Sequence, residues 1–401
     1  MRTTMATENN NKTLNVPNLR FPEFSGEWEK CTLGDITENF SRRNKEEIHY
    51  PMFSVTNNKG FIPQSEQFED REMVGEDIKA YKIIHKDDFA YNPARINVGS
   101  IAKYSGENPC MISSLYVCFK TNPKIDNDWM MQLLKTPKMN FYYNINGEGG
   151  VRVYLFYPNF ARIRTSYPTL QEQQKISSFL TLLDERIVTQ IKVIEKLESL
   201  IRGIVTKVCS GTFVKGEYVF LRDILTERHI KNTENYEVCS VSVSQGIVNQ
   251  IDYLGRSFAA KETLHYNVVN YGDVVYTKSP TGDFPYGIVK RSNIHSPVAV
   301  SPLYGVYQPK NDYIGRFLHL YFKSPINAKN YLHRLIQKGA KNTINITNSH
   351  FLDNKVFITD DAELKNIVNL TSAIEDKLIL ANQMLDSLKN QKSYLLSKMF
   401  I

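Results

Sequence analysis

The stretch from Leu364 to Met399, LKNIVNLTSAIEDKLILANQMLDSLKNQKSYLLSKM, decides how this chain is built. Residues Leu364, Ile367, Thr371, Ile374, Leu378, Ala381, Leu385, Leu388, Lys392, Leu395 and Met399 follow one another at alternating spacings of three and four. That is the a/d seam of a heptad helix. Asp360-Asp-Ala-Glu363 stands before it as a start signal, and no proline interrupts it. Subtracting 191 from each number lands on a second seam: Gln173, Ile176, Leu180, Leu183, Ile187, Gln190, Ile194, Leu197, Ile201, Ile204 and Val208. Here Thr169-Leu-Gln-Glu172 reads as a capping box after Pro168, and Gly211 as a stop. Each helix runs about 38–40 residues, roughly 57–60 Å at ~1.5 Å per residue. A long helix with one apolar stripe is marginal alone. Two matching seams predict that the helices pack on each other, antiparallel if a pseudo-two-fold axis relates the halves.

The rest of the chain repeats in the same order. A shift of about 188 residues sets Leu33-Gly-Asp-Ile36 on Leu221-Arg-Asp-Ile224, and Tyr50-Pro-Met-Phe-Ser-Val55 on Tyr236-Glu-Val-Cys-Ser-Val241. It also sets Gly60 on Gly246, Tyr81, Asp88 and Tyr91 on Tyr266, Asp273 and Tyr276, Ser113-Ser-Leu-Tyr116 on Ser301-Pro-Leu-Tyr304, and Lys135-Thr-Pro137 on Lys323-Ser-Pro325. An ordered series of this kind marks a duplicated unit.

The predicted fold class is α+β: two globular domains in tandem pseudo-repeat, separated by two long antiparallel helices forming a coiled-coil spacer. The boundaries follow: an N-terminal extension 1–17, a first domain 18–168, a central helix 169–211, a second domain 212–358 and a C-terminal helix 359–401. Strands are predicted at Met52–Thr56, Ile83–Tyr91 and Leu115–Lys120, then at Val238–Val243, Val268–Thr277 and Leu303–Tyr307. Helices are predicted at Trp129–Leu134 and Lys138–Asn144, then at Ile314–Phe322 and Asn327–Gln337.

Composition narrows the class without naming an activity. The 401 residues are 42% apolar and 23% charged, the balance of a protein with a real core. The net charge of +7 permits a polyanionic partner but does not require one. No apolar run has the length of a membrane span, and the polar start MRTTMATENNNK does not read as a signal peptide. Cys31, Cys110, Cys118, Cys209 and Cys239 are scattered and form no CxxC, which fits a reducing cytoplasm and no zinc module.

The motifs of catalysis are missing. There is no GxxxxGK[ST], no GxGxxG after a strand, no HExxH and no GxSxG. An Asn/Asp-Pro-Pro-aromatic methyltransferase run is absent: Asn92-Pro-Ala-Arg95 and Asn108-Pro-Cys-Met111 lack the second proline and the aromatic. Asp361 with Glu363-Leu-Lys365 could be forced into a nuclease pattern, but Glu363 is better explained as a helix cap. No metal ligand set is found. The expectation is a chain that is not an enzyme by itself.

Recognition remains. A DNA reader needs Lys and Arg for phosphates and paired donors and acceptors for base edges. The first domain offers Arg42, Arg43 and Lys45, then Asn57, Asn58 and Lys59, then Asn92, Arg95, Asn97 and Arg152. The second offers Lys278, Ser279 and Thr281, Lys290 and Arg291, and Lys338, Lys341, Asn342, Thr343 and Asn345. Singly, each also reads as a solvated loop residue. Tyr91, Tyr116, Tyr276 and Tyr304 read as core or supporting residues. Two readers at the ends of a ~57–60 Å rod would span roughly 17 base pairs. The competing readings are a coiled-coil scaffold or adaptor that binds proteins, and a methyltransferase or nuclease with an unrecognised site.

The arrangement resembles the specificity subunits of bacterial type I restriction–modification enzymes. The family's stretch between domain and helix, with its Pro-x-Leu-x-Glu-Gln-x-Lys-Ile core, is matched by Pro168, Leu170, Glu172, Gln173, Lys175 and Ile176. The second copy, Thr359 to Ile367, keeps Glu363 and Ile367 and lacks the Pro and Gln. The resemblance implies two target-recognition domains, each reading one half of a bipartite, asymmetric site in double-stranded DNA. It implies helices that set the spacer and dock two methyltransferase subunits, with restriction subunits joining the complex. S-adenosylmethionine, ATP and Mg²⁺ would then belong to those partners, and none to this chain. Arg186, Lys192, Lys196 and Arg202, outside the seam, are candidates for partner contacts.

Overall fold

The computed structural model describes residues 14–67, 78–149, 153–211, 214–254, 262–338 and 344–401. The chain divides into two units: 1–191 with 383–401, and 192–382. Each long helix is therefore shared. Each unit owns a stretch of both helices. The reason is packing: each apolar seam is continuous with the core of its neighbouring domain.

In the first unit, Thr37–Phe40, Val117–Thr121, Phe89–Tyr91 and Ile101–Lys103 form an antiparallel sheet in that spatial order. A hairpin of Phe53–Thr56 and Gly60–Pro63 stands beside it, with the pair Lys82–Ile84 and Cys110–Ile112. Glu29–Thr32 pairs with Arg164–Tyr167 and so joins the start of the domain to its end. Helices Asn127–Leu134 and Pro137–Asn146 follow the sheet. Asp126 caps the first by accepting from Trp129 N at 2.8 Å. Thr136 caps the second, with Pro137 at its first turn, so the Lys-Thr-Pro break is a helix-to-helix elbow.

The second unit uses the same plan. Leu225–Glu227, Gly305–Pro309, Val274–Thr277 and Ile288–Arg291 form a sheet in the equivalent order. The hairpin Cys239–Ser242 with Gly246–Asn249, the pair Asn267–Val269 with Val298–Val300, and the closing pair Gly216–Phe220 with Lys355–Thr359 all have their counterparts. Helices Asp312–Lys323 and Pro325–His333 meet at Lys323-Ser-Pro325, where Ser324 caps the second.

The predicted long strands are each two short ones. Ile83–Tyr91 breaks after Ile84 at a turn whose Asp87 has φ 70°; Val268–Thr277 breaks at Gly272, φ 89°. In both turns a buried aspartate folds the backbone and takes an arginine. Asp88 accepts from His85 N at 2.8 Å and from Arg42 at 2.9 Å. Asp273 accepts from Asn270 N at 2.8 Å and from Arg228 at 3.1 Å. The predicted helix Asn327–Gln337 ends at His333, and Gln337–Lys338 pairs instead with Ile344–Asn345.

The central helix is Leu170–Cys209 and the C-terminal helix Asp361–Lys398. In the first unit Ile176, Leu180 and Leu183 are buried with Leu388, Leu395, Leu396 and Met399, and Lys392 pairs with Asp184. Leu385 is buried and Ile187 half-buried. In the second unit Ile201 and Val205 pack with Ile374, beside half-buried Leu197, Ile204 and Leu378, while Val208 meets Leu364, Ile367 and Val368. Ile194 is half-buried. Within each unit, rising numbers on one helix meet falling numbers on the other, so the segments are antiparallel. Of the four polar members of the seams, Gln173 and Thr371 are buried and bonded, while Gln190 and Lys392 are half-buried. Thr371 Oγ1 donates to Ile367 O at 2.8 Å, and Gln173 bridges Asp126 N, Lys124 O and Pro168 O at 2.8, 3.0 and 2.9 Å.

Asp360 caps the C-terminal helix, accepting from Ala362 N and Glu363 N at 3.0 and 2.9 Å. At Thr169 only half of the expected box forms: Glu172 N donates to Thr169 Oγ1 at 3.4 Å, but the Glu172 carboxylate turns into the domain. Among the described residues no helix is long and apolar enough to cross a membrane.

Candidate nucleic-acid interface

Several of the candidate residues sit on loops whose shape is fixed by internal hydrogen bonds. In the first unit a buried asparagine, Asn44, closes the loop 44–48 on itself. Its amide donates to Ile48 O at 2.8 Å and accepts from Ile48 N at 3.1 Å, while Asn44 N donates to Tyr81 O at 3.0 Å. Glu47 takes a left-handed φ of 56° to complete the turn. Arg43 and Lys45 are thereby held out in solvent. The second unit has the same device. Asn232 accepts from Tyr236 N at 2.7 Å and donates to Tyr236 O at 3.3 Å, with Asn235 at φ 55°. It presents Lys231 as the counterpart of Arg43. Lys231 was missed as a candidate, although the 188-residue shift maps it onto Arg43.

Asn57, Asn58 and Lys59 form the exposed tip of the first hairpin, where Thr56 Oγ1 accepts from Lys59 N at 3.1 Å and Gly60 takes φ 66°. The loop Asn92 to Ser100 packs against it. Ser100 Oγ donates to Val55 O at 2.7 Å, and a Cβ on Gly99 would lie 3.3 Å from Asn57 O. Asn92 accepts from Ala94 N at 3.0 Å, so its side-chain oxygen shapes its own turn. Arg95 remains exposed, and Asn97 donates to Asn144 Oδ1 at 3.0 Å. The fold thus gathers Asn57, Asn58, Lys59, Arg95 and Asn97 on one surface. Asn144, at a loop-facing point of helix Pro137–Asn146, joins them; no sequence signal singles it out.

Arg42 serves the fold. Its guanidinium pairs with Asp88 and lies 4.6 Å from the centre of the Phe40 ring. In the second unit Ser279 and Thr281 are exposed and Lys278 half-buried on a turn closed by the Thr281–Phe284 bridge.

Lys290 and Arg291 require correction as DNA-contact candidates. Both lie in the edge strand Ile288–Arg291, and both are only 4% exposed. Arg291 pairs with Asp312, bonds Asn293 and lies 4.7 Å from the Tyr271 ring centre. Burial alone would raise the Asp312 carboxyl, but Arg291 and Arg316 hold it below its usual range. Lys290 is pushed down to about 8, first by burial and then by Lys323. Its neighbour His319 is pushed to about 3, again first by burial. A Lys-Arg pair reads as a surface patch in sequence; the alternation of a strand covered on both faces turns both inward.

Arg152, Lys341, Asn342 and Thr343 lie outside the described residues. Lys338 and Asn345 belong to the short strand pair, whose side chains are not described. Tyr91 and Tyr276 are buried in the two cores, and Tyr116 and Tyr304 are half-buried. Among the described residues no group of three or more His, Cys, Asp and Glu side chains is placed to hold a metal ion.

Residues 25–199 match the family model of the type I restriction modification DNA specificity domain. A protein of Methanocaldococcus jannaschii named as a type I restriction enzyme MjaX specificity subunit is 25% identical over 219 residues, which covers 52% of this chain and 50% of that protein. The chain thus spans about half the length of the curated relative it matches. The solved S subunit of a type I restriction-modification system from M. genitalium aligns over 96% of this chain and 99% of its own, with TM-score 0.58 and 13% identity. A chain from a structure of the type I R-M system aligns over 93% and 97%, with TM-score 0.54 and 12% identity. The solved structures share the fold; the family match and the curated relative carry the likeness to specificity subunits.

Proposed function

We propose that this chain, identified by residues 25–199 as carrying the type I restriction modification DNA specificity domain, is the DNA-recognition subunit of a type I restriction–modification complex. Each unit reads one half of a bipartite, asymmetric site in double-stranded DNA. The observation that carries this reading is the duplicated reader: two units of one strand order, each holding out a basic residue, Arg43 or Lys231, on the same asparagine-clamped loop. Clamped loops suit sequence readout because a reader must hold its donors in place before the duplex arrives.

In this reading the long helices set the spacer, and their outer faces dock the methyltransferase subunits. Support comes from an open groove of about 630 Å³ in the first unit, lined by Phe179, Leu182, Met384 and Leu388 with Arg186 and Gln190. Phe179, Leu182 and Met384 are exposed apolar side chains of the kind a protein interface covers. Restriction subunits would complete the assembly, in the cytoplasm. S-adenosylmethionine, ATP and Mg²⁺ would be held by those partners, and this chain would catalyse nothing alone.

The test is methylome sequencing of cells that carry this chain with its methyltransferase subunit. A modified motif of two unlike half-sites at fixed spacing is expected, and one heptad inserted in each long helix should change the spacer and neither half-site. A contiguous motif, an unchanged spacer, or modification by the chain alone would overturn the reading.

A further inference from the structure

The two most exposed large apolar side chains among the described residues are Leu115, 77% exposed, and Leu303, 71% exposed. They occupy the same place in the two units. Each is the third residue of a tight turn, Ser113-Ser-Leu-Tyr116 and Ser301-Pro-Leu-Tyr304. Tyr116 N donates to Ser113 O at 3.2 Å, and Tyr304 N to Ser301 O at 3.0 Å. Leu115 N and Leu303 N donate to the serine hydroxyls at 3.4 and 3.3 Å. The turn is also pinned from the side in both units. Lys82 Nζ donates to Tyr116 O at 2.6 Å; Asn267, its counterpart, donates to Tyr304 O at 2.9 Å and is itself held by Lys231 Nζ at 2.6 Å. Tyr116 further ties the turn to the Asn57 hairpin by accepting from Val55 N at 3.2 Å.

A leucine standing in water on a rigid turn gains nothing for folding. Chance accounts for one such residue, but less readily for two at equivalent positions with equivalent supports. A protein-docking patch would surround the leucine with other apolar side chains, since a stable interface covers about 800 Å² per partner. Here the residues before the tip are Ser113-Ser114 and Ser301-Pro302, and the one after it is half-buried. Beside it stand cations: Arg43 bridges the strand position of Lys82, and Lys231 that of Asn267. A single apolar tip over a basic support is the form of a groove wedge, which enters a base step while the cations hold phosphates.

We infer that Leu115 and Leu303 are duplex-probing wedges, one per half-site, that insert into a base step and unstack it when the site is bound. The inference rests on the DNA-recognition reading above, and it adds deformability of one step in each half-site to what the chain reads.

The experiment uses the full chain and duplexes of the site recovered by methylome sequencing, with single 2-aminopurines placed at successive steps of each half-site. Binding should raise emission at one position per half-site. Leu115→Ala should abolish the rise in one half-site and Leu303→Ala in the other, each weakening site binding about tenfold while binding to a scrambled duplex is unchanged. Leu115→Met, apolar and of similar length, should retain the rise. Preference for the site with no emission change and unaltered affinity of the Ala variants overturns the wedge and leaves the recognition reading standing. Ala variants that keep DNA affinity but lose a co-purified methyltransferase subunit overturn it in favour of a protein contact. No preference of the wild type for the site over the scrambled duplex overturns both.

Discussion

Arg20 closes a two-point ion pair on Glu172: Nε to Oε1 at 2.8 Å and Nη2 to Oε2 at 2.7 Å. Trp28 Nε1 adds a third donor at 3.3 Å, and the carboxylate is only 1% exposed. Glu172 and its neighbour Gln173 thus fasten the first turn of the central helix to the domain that precedes it, which is the physical content of the Glu-Gln pair in the motif at 168–176. Removing one partner of a buried pair strands the other. Glu172→Ala should cost about 3 kcal/mol of the first unit's stability. Arg20→Ala should cost a comparable amount, and the double variant less than the sum. Denaturant midpoints of the four proteins check this; strict additivity would show the pair to be uncoupled.

Phe400, with Leu388, Leu395, Leu396 and Met399, completes a core whose remaining residues lie between Trp28 and Leu183. Its ring is 5.8 Å from that of Trp129 and 6.5 Å from that of Trp28. Leu19 N donates to Lys398 O at 2.9 Å beside it. Phe400→Ala should destabilise the first unit by about 3–5 kcal/mol and leave the second unit intact. Hydrogen exchange resolved by peptide should show faster exchange in 28–40 and 127–146, with 221–230 and 312–333 unchanged.

Lys290 gives a pH dependence of definite sign. Burial lowers it from 10.5 to about 8, with Lys323, Arg291 and His319 nearby and Glu375 opposing them. The unfolded chain therefore binds the proton more tightly than the folded one, and stability rises with pH between about 8 and 10.5. Below that window the cost of the buried charge is fully present. Lys290→Met should raise stability at pH 7 by roughly 1–3 kcal/mol and flatten the rise. Urea midpoints of both proteins at pH 7 and pH 10 decide it. Arg291→Ala, by contrast, should destabilise the second unit by leaving Asp312 short of a partner.

Arg43 and Lys231 should act as phosphate contacts of the two units. Arg43→Ala should lower affinity for all duplexes alike and reduce the salt slope by about 1; Lys231→Ala should reduce the slope likewise and, by releasing Asn267 from the Leu303 turn, weaken site binding further. Asn44→Ala and Asn232→Ala remove no charge, yet each strips the part-buried N–H and C=O of Ile48 or Tyr236 of the side chain that clamps them. They should cost about 1–3 kcal/mol and weaken site binding with no change in salt slope. Affinity measured across a salt series separates the two classes.

Much of this architecture is legible because its signals are periodic or repeated. The three-four spacing from Leu364 to Met399 falls on residues that are buried or half-buried, because a helix buries whatever its repeat places on one stripe. The shift of about 188 residues aligns two strand sets that prove to share one order. The candidate loops were harder. Arg42 and Arg43 are adjacent and chemically alike, yet Arg42 is committed to Asp88 while Arg43 stands free in solvent on the far side of the strand position. Composition cannot tell such neighbours apart.

By itself, then, the sequence determined two α+β units, a duplicated plan and two heptad helices, because hydrophobic periodicity and internal repetition are properties of the chain alone. Tertiary structure decided what depends on partners distant in sequence. It set the sheet order, which needs Thr37–Phe40 to find Val117–Thr121, and the sharing of each helix between units, which needs Phe400 to reach Trp28 and Trp129. It also moved Lys290 and Arg291 from the surface to the interior, since a charge is buried only where a fold supplies its Asp312 or accepts its shifted proton equilibrium.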